Sequence, residues 1–337
     1  MPASHRRPGE HRDPLLGTAK PLPADRRPSA GPIAILPEPR PIFVSAVERA
    51  GGVVAPLSAD TRGLIWLAES DSELLVDTLH AHPGIGWVQL PWAGVDAFAG
   101  ALAEFADSPR PIFTSAKGAY SDPVAEHALA LTLAVLRGLP EKARSTNWAA
   151  KKLGISLYGR HVLIVGAGGI ALEFMRLLAP FETTVTVVRR SAGPLAGADR
   201  TVTSDRLLEV LADADVVVIA AAATDDTAQL FGAPEFAAMK PSAALVNIAR
   251  GRLVDSLALA DSLASGHLAG AALDVTDPEP LPDGHPLWSA PRCIITSHSA
   301  DTPEMVEPLL AERVRANVTA LLGDGAFVGI VDARAGY

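Results

Sequence analysis

The chain has 337 residues, a formal net charge of −9 and 48% apolar residues. This length and apolar content suit two domains of ordinary size, and they exclude a chain that is disordered throughout. The negative charge argues against nucleic acid or an acidic membrane surface as the main partner, and the longest apolar stretch is far short of the ~20 residues that a bilayer requires.

The first 31 residues are rich in arginine and proline and lack the apolar segment of a secretory signal. We predict a disordered, solvated tail over residues 1–31, with a basic docking tail as the alternative. The single cysteine, Cys293, falls in a predicted strand and is interpreted as a small buried apolar residue. With no partner for a disulfide within the chain, we expect a cytoplasmic protein.

From residue 32 onward, short apolar runs alternate with helical patterns, which predicts a small α/β unit. The predicted strands are residues 33–36, 52–55, 63–67, 87–90 and 111–114. The predicted helices are residues 72–80 and 97–105, followed by a long helix over residues 122–139 that is expected to connect two domains.

A second α/β series begins at His161, and its apolar runs are bounded by turn residues, as is typical of buried parallel strands. The predicted strands are residues 162–165, 185–188, 216–220, 243–248, 271–275 and 293–296. Six such strands with helices between them predict a doubly wound, Rossmann-type dinucleotide-binding domain.

The chain closes with an amphipathic helical pattern near residues 303–322, which we expect to pack back on the first domain. The predicted fold is therefore a doubly wound parallel cofactor domain inserted into a smaller, flavodoxin-like α/β substrate domain. The predicted boundaries are residues 32–127 with 300–330 for the discontinuous substrate domain and residues 128–299 for the cofactor domain.

A glycine turn joins the first strand of the second series to a helix. Gly166 permits a tight turn, Gly168 permits close approach of a pyrophosphate, and Gly169 and Ile170 open the helix, whose N-terminus favours anions. Ala171 takes the third small position, which this motif tolerates. Because the turn lies between a strand and a helix, as the motif requires, we predict a dinucleotide site.

The end of the next predicted strand indicates which nicotinamide cofactor is preferred. NAD-binding domains place an acidic residue here, whereas this chain has Arg189, Arg190 and Ser191, with no acidic residue between Glu182 and Asp199. Two guanidinium groups and a hydroxyl suit a 2′-phosphate. We predict a preference for NADP(H), with NAD(H) possible; the alternative is that these arginines are solvated surface charges.

Three polar residues follow other strands of the same predicted sheet: Arg250, Glu279 and His298. Since ligands bind outside the carboxyl ends of parallel strands, these side chains are expected at one edge. A guanidinium can hold a carboxylate and polarise a carbonyl, a histidine can donate a proton near neutral pH, and a carboxylate can favour the charged imidazolium. Arg252 is the competitor of Arg250.

The chain resembles the D-isomer specific 2-hydroxyacid dehydrogenases over about residues 33–325. The motifs that carry the resemblance are the glycine turn, Met239-Lys240-Pro241, Asn247-Ile248-Ala249-Arg250-Gly251, Ala272-Leu273-Asp274-Val275 with its extension to Pro282, and Thr296-Ser297-His298. The resemblance implies that Arg250 binds the substrate carboxylate and carbonyl, that His298 is the acid/base group, and that Glu279 pairs with it.

The resemblance also implies cofactor contacts from Ala249 and from Asp274, the latter near the nicotinamide carboxamide. It implies that Ala93 and Gly94 lie in a loop whose backbone N–H groups meet the substrate carboxylate; glycine independently permits such an approach. His127 resembles a residue of the interdomain helix and is interpreted as structural.

The sequence departs from the family pattern beside the acid/base histidine. Ser297 replaces the usual proline, and Ser299-Ala300-Asp301 replaces the commoner turn with glycine. These changes leave the catalytic set intact and are expected to alter the shape of the substrate pocket.

The resemblance implies reduction of a small 2-oxoacid by hydride transfer from NAD(P)H, with glyoxylate or hydroxypyruvate as the first expectation, in a homodimer. One alternative is a phosphoglycerate-type dehydrogenase, disfavoured because no regulatory domain follows residue 325. The other is a non-enzymatic, corepressor-like dinucleotide sensor.

No metal site is expected, because the histidines are scattered and the cysteine stands alone. Trp148 is expected to be a buried structural residue, or to reach a neighbouring subunit.

Overall fold

The computed structural model describes residues 19, 21–148, 152–191 and 193–334. The chain forms two compact units, one within Met1–Tyr120 and Thr302–Tyr337 and the other within Ser121–Asp301. The second unit is therefore inserted into the first, and the predicted fold class is confirmed. The sequence predicted a boundary at residue 127, whereas the units divide at residue 121, because a single helix runs through that position without a break.

The first unit contains a parallel sheet whose strands are neighbours in chain order: β1 (Ile33–Leu36), β2 (Gly63–Trp66), β3 (Trp87–Gln89) and β4 (Ile112–Thr114). The prediction of a further strand over residues 52–55 is wrong, since only Val54 forms a bridge, to Ile33. Val53 is exposed, so burial of its side chain does not stabilise a longer strand beside β1. Val54 lies on the side of β1 that faces away from β2. If this bridge is counted as a strand, the sheet has the flavodoxin-like order 2-1-3-4-5, in which the strand numbered 2 is reduced to one residue.

Four helices belong to the first unit: α1 (Pro41–Arg49), α2 (Ser72–Ala81), α3 (Ala99–Glu104) and α10 (Pro303–Leu322). The bounds of α10 match the predicted C-terminal helix. Buried Asn317 of α10 donates a side-chain hydrogen bond to buried Gln89 of β3 at 2.9 Å, and α10 also packs against α1. The last helix therefore completes the first unit, as the apolar pattern predicted.

The predicted disordered tail falls partly on described residues. Residues 1–18 and 20 lie outside them. Residues 21–31 differ from the prediction, since they contain a 3-10 helix at Ala24–Arg26 and a buried Pro28. Arg27 donates to the carbonyl of Leu22, and Arg110 donates to the carbonyl of Arg27. Hydrogen bonds from arginine side chains to backbone carbonyls therefore hold residues 21–31 in place. The composition of this segment alone indicates disorder.

The second unit contains a seven-stranded parallel sheet in the order β11-β10-β9-β8-β5-β6-β7. Its strands are β5 (His161–Val165), β6 (Thr184–Arg189), β7 (Arg200–Thr203), β8 (Val216–Ile219), β9 (Ala244–Asn247), β10 (Gly270–Leu273) and β11 (Cys293–Ile295). The chain order reverses between β5 and β8, which is where a doubly wound sheet binds its ligand. The sequence predicted six strands and missed β7, an edge strand in which only Val202 is buried.

The helices of the second unit are α4 (Ser121–Leu136), α5 (Leu139–Arg144), α6 (Gly169–Leu178), α7 (Leu207–Leu211), α8 (Ala233–Ala238) and α9 (Ser256–Ala264). The sequence predicted one helix over residues 122–139, but Gly138 adopts φ 60° and divides it into α4 and α5. Within the described residues, none of the helices combines the length and apolar content needed to span a membrane.

Candidate active site

The glycine turn lies at the carboxyl end of β5, where the sheet reverses direction. Gly166 adopts φ +115°, and a Cβ atom there would lie 2.4 Å from the carbonyl oxygen of Ala220. Both the left-handed backbone and the close neighbour exclude a side chain at this position. The chain can therefore pass from β5 into α6 only with glycine here.

Gly168 differs from Gly166, because neither its backbone conformation nor a close neighbour excludes a side chain. It precedes α6 in extended conformation, and a Cβ atom placed on it would meet nothing within 4 Å. Among the described residues no side chain caps the helix that Gly169 and Ile170 begin. Open space beside the N–H groups and the positive end of a helix suits a pyrophosphate, so this part of the chain fits a dinucleotide.

Positive charge lies at the end of the neighbouring strand. Arg189 is the last residue of β6, and its Nη2 donates to the carbonyl oxygen of Gly193 at 3.0 Å. Its Nε is buried and has no hydrogen-bond partner among the described residues. Arg189 as a whole is partly buried, whereas Arg190 and Ser191 are exposed. A buried donor beside a further guanidinium and a hydroxyl fits an anionic group of a bound cofactor.

The loop after β9 holds Arg250 by its backbone. The side-chain amide of Asn247 donates to the carbonyl oxygen of Arg250 at 2.9 Å, and its oxygen accepts from the N–H of Ala249 at 3.1 Å. Arg250 itself is half-buried. Arg252, by contrast, lies 3.4 Å from the exposed carboxylate of Asp225. The two arginines are therefore in different environments, and Arg252 has the surroundings of a surface residue.

His298 and Glu279 are in direct contact. Nδ1 of His298 lies 2.6 Å from Oε1 of Glu279, and each side chain is 42% exposed. Because Nδ1 faces the carboxylate, Nε2 is the ring nitrogen that can exchange a proton with a bound molecule. An imidazole oriented by a carboxylate is an arrangement suited to general acid–base chemistry.

Asp274, directly after β10, supports the loop that carries His298. Its carbonyl oxygen accepts the N–H of His298, and its carboxylate accepts the N–H groups of Ser299 at 2.9 Å and Ala300 at 3.2 Å. Burial acts to raise the pKa of Asp274, but hydrogen bonds from His127, Thr296 and Ser299 outweigh it and hold the pKa below its usual value. The side chain is therefore a buried carboxylate surrounded by donors.

His127 and Thr296 complete this set of contacts. Thr296 donates to Asp274 Oδ1 at 2.6 Å, and Nε2 of His127 lies 3.0 Å from Thr296 Oγ1 and 3.3 Å from Asp274 Oδ1. The sequence indicated only a structural histidine at 127 and gave Thr296 no role. One signal was available, because Thr296 directly follows β11 and stands two residues before His298.

Asp301 adds a further acidic group to this edge of the sheet. Burial raises its pKa, the charge of His298 acts to lower it, the charge of Asp274 raises it and that of Arg250 lowers it. Asp301 is thus within electrostatic reach of both Arg250 and His298. The sequence showed a departure from the family pattern here but did not indicate an electrostatic interaction of Asp301 with these residues.

Other predicted residues have different positions. Ala93 and Gly94 follow β3 in the first unit and are half-buried. The prediction that Trp148 is buried is wrong: it is 100% exposed, in an irregular segment after α5 that leaves it outside the apolar core. Cys293 is buried, as predicted. Across the residues that the structure describes, no group of three or more His, Cys, Asp or Glu side chains could hold a metal ion.

A doubly wound sheet with a glycine turn at its switch point and an oriented imidazole at the same edge defines a dinucleotide-dependent oxidoreductase. Residues 129–300 match the family model described as "D-isomer specific 2-hydroxyacid dehydrogenase, NAD binding domain". The chain belongs to this family, and the predicted resemblance is confirmed.

Individual proteins are similar to this chain to different extents. An uncharacterized protein of Corynebacterium melassecola is 38% identical over 75% of this chain and 84% of its own length. The glyoxylate reductase/hydroxypyruvate reductase of Mus musculus is 34% identical, over 54% of this chain and 58% of that protein. An NADPH-dependent glyoxylate/hydroxypyruvate reductase of Sinorhizobium meliloti has a structure with a TM-score of 0.72 at 25% identity, covering 90% of this chain and 98% of that one.

Proposed function

We propose that this protein reduces a small 2-oxoacid to the D-2-hydroxyacid, with glyoxylate and hydroxypyruvate as the first substrates to consider. The observation that carries the proposal is the 2.6 Å contact between His298 Nδ1 and Glu279 Oε1 at the edge of the sheet that also bears Arg250. The names of the mouse and Sinorhizobium meliloti relatives support this choice of substrates.

Each residue has a distinct part in the proposed reaction. The guanidinium of Arg250 binds the substrate carboxylate and polarises the carbonyl oxygen. His298 delivers a proton to that oxygen through Nε2, while Glu279 holds Nδ1 and stabilises the imidazolium. A bound nicotinamide would supply the hydride that the carbonyl carbon accepts. Ala93 and Gly94 are proposed to bind the substrate carboxylate through their backbone N–H groups.

We further propose that the cofactor site prefers NADP(H). Gly166, Gly168, Gly169 and Ile170 would hold the pyrophosphate, with Ala249 and Asp274 nearer the nicotinamide. Arg189, Arg190 and Ser191 would bind a 2′-phosphate, and the unpartnered Nε of Arg189 supports this assignment. Steady-state KM values for NADPH and NADH test the preference, and an equal or lower KM for NADH would contradict it.

The function is tested by following NADPH oxidation with glyoxylate, hydroxypyruvate and 3-phosphohydroxypyruvate as substrates. Arg250→Ala should lose most turnover, by about a hundredfold or more, because it removes a charge that orients the substrate and stabilises the transition state. Cofactor binding, followed by NADPH fluorescence, should persist. Arg252→Ala is the matched control and should retain wild-type rates.

The same assay distinguishes the alternative functions. Faster turnover of the phosphorylated substrate would favour a phosphoglycerate-type enzyme, and tight NADPH binding without any turnover would favour a sensor.

We propose in addition that the protein is a homodimer. A fully exposed tryptophan such as Trp148 is unusual on a monomer surface and common at interfaces between subunits. Sedimentation equilibrium of the wild type and of Trp148→Ala tests this proposal. A wild-type protein that remains monomeric at micromolar concentration would contradict it.

A further inference from the structure

The loop that carries the candidate acid/base residue has an uncommon backbone. Ser297 adopts φ +50° and His298 adopts φ +53°, so two consecutive non-glycine residues lie in the left-handed region. Each such residue costs on the order of 1 kcal/mol or more, and the conformation persists only where surrounding contacts impose it. The contacts around this loop therefore determine where the imidazole lies.

Those contacts converge on Asp274. Three consecutive backbone N–H groups, from His298, Ser299 and Ala300, donate to this one residue, the first to its carbonyl and the other two to its carboxylate. Asp274 is 2% exposed and lies directly after β10, so it is a rigid anchor if its own side chain is held in place. A rotation about its side-chain bonds would release the hydrogen bonds to Ser299 and Ala300 together.

His127 and Thr296 fix that rotation from the opposite side. Since the hydroxyl of Thr296 donates to Asp274 Oδ1, its oxygen is available to accept from Nε2 of His127, which also lies 3.3 Å from the same carboxylate oxygen. His127 belongs to α4, and Thr296 directly follows β11. The acid/base loop is thus tied to a helix and a strand through one buried carboxylate.

We propose that His127 and Thr296 are positioning residues for His298 and act on it through Asp274. The inference rests on the proposed function, because it assigns a consequence to the position of the acid/base group. It replaces the interpretation of His127 as a merely structural residue of α4. Neither residue is expected to touch the substrate.

The test compares His127→Leu, His127→Gln and Thr296→Val with the wild type in steady-state reduction of glyoxylate or hydroxypyruvate. His127→Leu and Thr296→Val should lower kcat by about ten- to a hundredfold, because a displaced proton donor loses reaction geometry. The KM for NADPH should change less than kcat does, since these variants leave the residues proposed for the pyrophosphate and the 2′-phosphate unchanged. His127→Gln should recover most of kcat, because its amide nitrogen can take the place of Nε2.

The chain offers a matched control elsewhere in the same sheet, between the neighbouring strands β5 and β6. His161 Nε2 lies 2.8 Å from Thr186 Oγ1, which is the same pair of side chains without any contact to Asp274. His161→Leu and Thr186→Val should therefore keep the wild-type kcat. Equal losses of kcat in both pairs of variants would show a general effect of removing buried hydrogen bonds and would overturn the inference.

A second measurement does not depend on turnover. Hydrogen exchange of the peptide that contains residues 296–301, measured on the protein without cofactor, should be about tenfold faster in His127→Leu and in Thr296→Val, because the amides of Ser299 and Ala300 lose their fixed acceptor. Unchanged exchange together with unchanged kcat overturns the inference.

If the wild type reduces no 2-oxoacid, the proposed function fails, and exchange alone then decides whether these residues hold the loop. If His127→Leu does not fold, the comparison of Thr296→Val with Thr186→Val decides the question.

Discussion

A Cβ atom on Gly251 would lie 1.8 Å from the carbonyl oxygen of Thr276. Gly251 directly follows Arg250, and Thr276 lies three residues before Glu279. The backbones of the loops after β9 and β10 are therefore in direct contact, and the distance between the candidate substrate-binding arginine and the partner of the candidate acid/base histidine depends on that contact. Gly251 does not adopt a positive φ, so the close neighbour, and not the backbone conformation, is what requires glycine here.

Gly251→Ala should consequently damage both stability and activity. The methyl group cannot be accommodated unless one of the two loops moves, and overpacking of this kind typically costs about 1–3 kcal/mol. We expect a lower melting temperature and a fall in kcat/KM, measured by calorimetry and by steady-state reduction of a 2-oxoacid. Gly232→Ala is the control, because its Cβ would have only ordinary contacts at 3.7 Å. Wild-type stability in Gly251→Ala would contradict the predicted contact.

Gly168→Ala should have the opposite pattern. Its Cβ would meet nothing within 4 Å, so the free energy of unfolding should change by no more than about 0.5 kcal/mol. The methyl group would instead occupy the space proposed for the pyrophosphate, and the Kd for NADPH, measured by fluorescence titration, should rise by about tenfold, the equivalent of 1.4 kcal/mol. An unchanged Kd would remove this glycine from the proposed cofactor site.

Much of the fold follows from local apolar patterns. The six predicted strands of the second unit correspond to β5, β6, β8, β9, β10 and β11, because each contains a short run of mainly apolar residues, most of which are buried in the sheet. The strand β7 was missed because it is an edge strand with one buried residue. A strand was predicted over residues 52–55, where the structure has only a bridge at Val54, because an apolar run predicts a strand whether or not neighbouring residues bury it.

The candidate site was predictable only in part. Strand ends and motifs select Arg250, Glu279 and His298, since a parallel sheet brings its carboxyl ends to one edge. They do not reveal the contacts of Asp274 with His127 and Thr296, because these residues come from separate parts of the chain. Trp148 shows the same difficulty: an aromatic residue in sequence is an equally good candidate for a core and for an exposed surface.

Ser297 explains one departure from the family pattern and yields a prediction. Its φ of +50° is inaccessible to proline, whose ring holds φ near −65°. Ser297→Pro should therefore force the loop out of its conformation and lower kcat by about tenfold or more. Ser297→Gly, which adopts positive φ without cost, should keep wild-type kcat and stability. Wild-type kcat in the proline variant would show that the loop tolerates another conformation.

Cys293 should be chemically inert in the folded protein. Burial raises the pKa of its thiol to about 12, so the reactive thiolate is scarce at neutral pH. We expect 5,5′-dithiobis(2-nitrobenzoate) to titrate about one thiol in urea and to react much more slowly, by about a hundredfold, with the native protein. Cys293→Ala is the control for background reaction. Equally rapid reaction in the native state would mean that β11 opens readily.

Asp301 and Asp274 should affect stability in opposite directions as the pH changes. Burial raises the pKa of Asp301 above 3.8, so between that value and its raised pKa the unfolded chain loses its proton first. The unfolded state then binds fewer protons, and the free energy of unfolding falls with rising pH by up to about 1.4 kcal/mol for each unit by which the pKa is raised. Above the raised pKa the full penalty remains.

Asp301→Asn should abolish this penalty. Relative to the wild type, it should gain stability as the pH rises from 3.8 to the raised pKa of Asp301 and keep that gain at higher pH, measured by urea unfolding between about pH 2 and pH 7. The pKa of Asp274 is lowered instead, so its contribution is present above 3.8 and is lost as the pH falls through its lowered pKa. Asp274→Asn should therefore lose stability relative to the wild type as the pH rises from the lowered pKa to 3.8, and its deficit should stay constant above 3.8, where Asp301→Asn gains stability. The same pH dependence of stability in the two variants would contradict these opposite shifts of pKa.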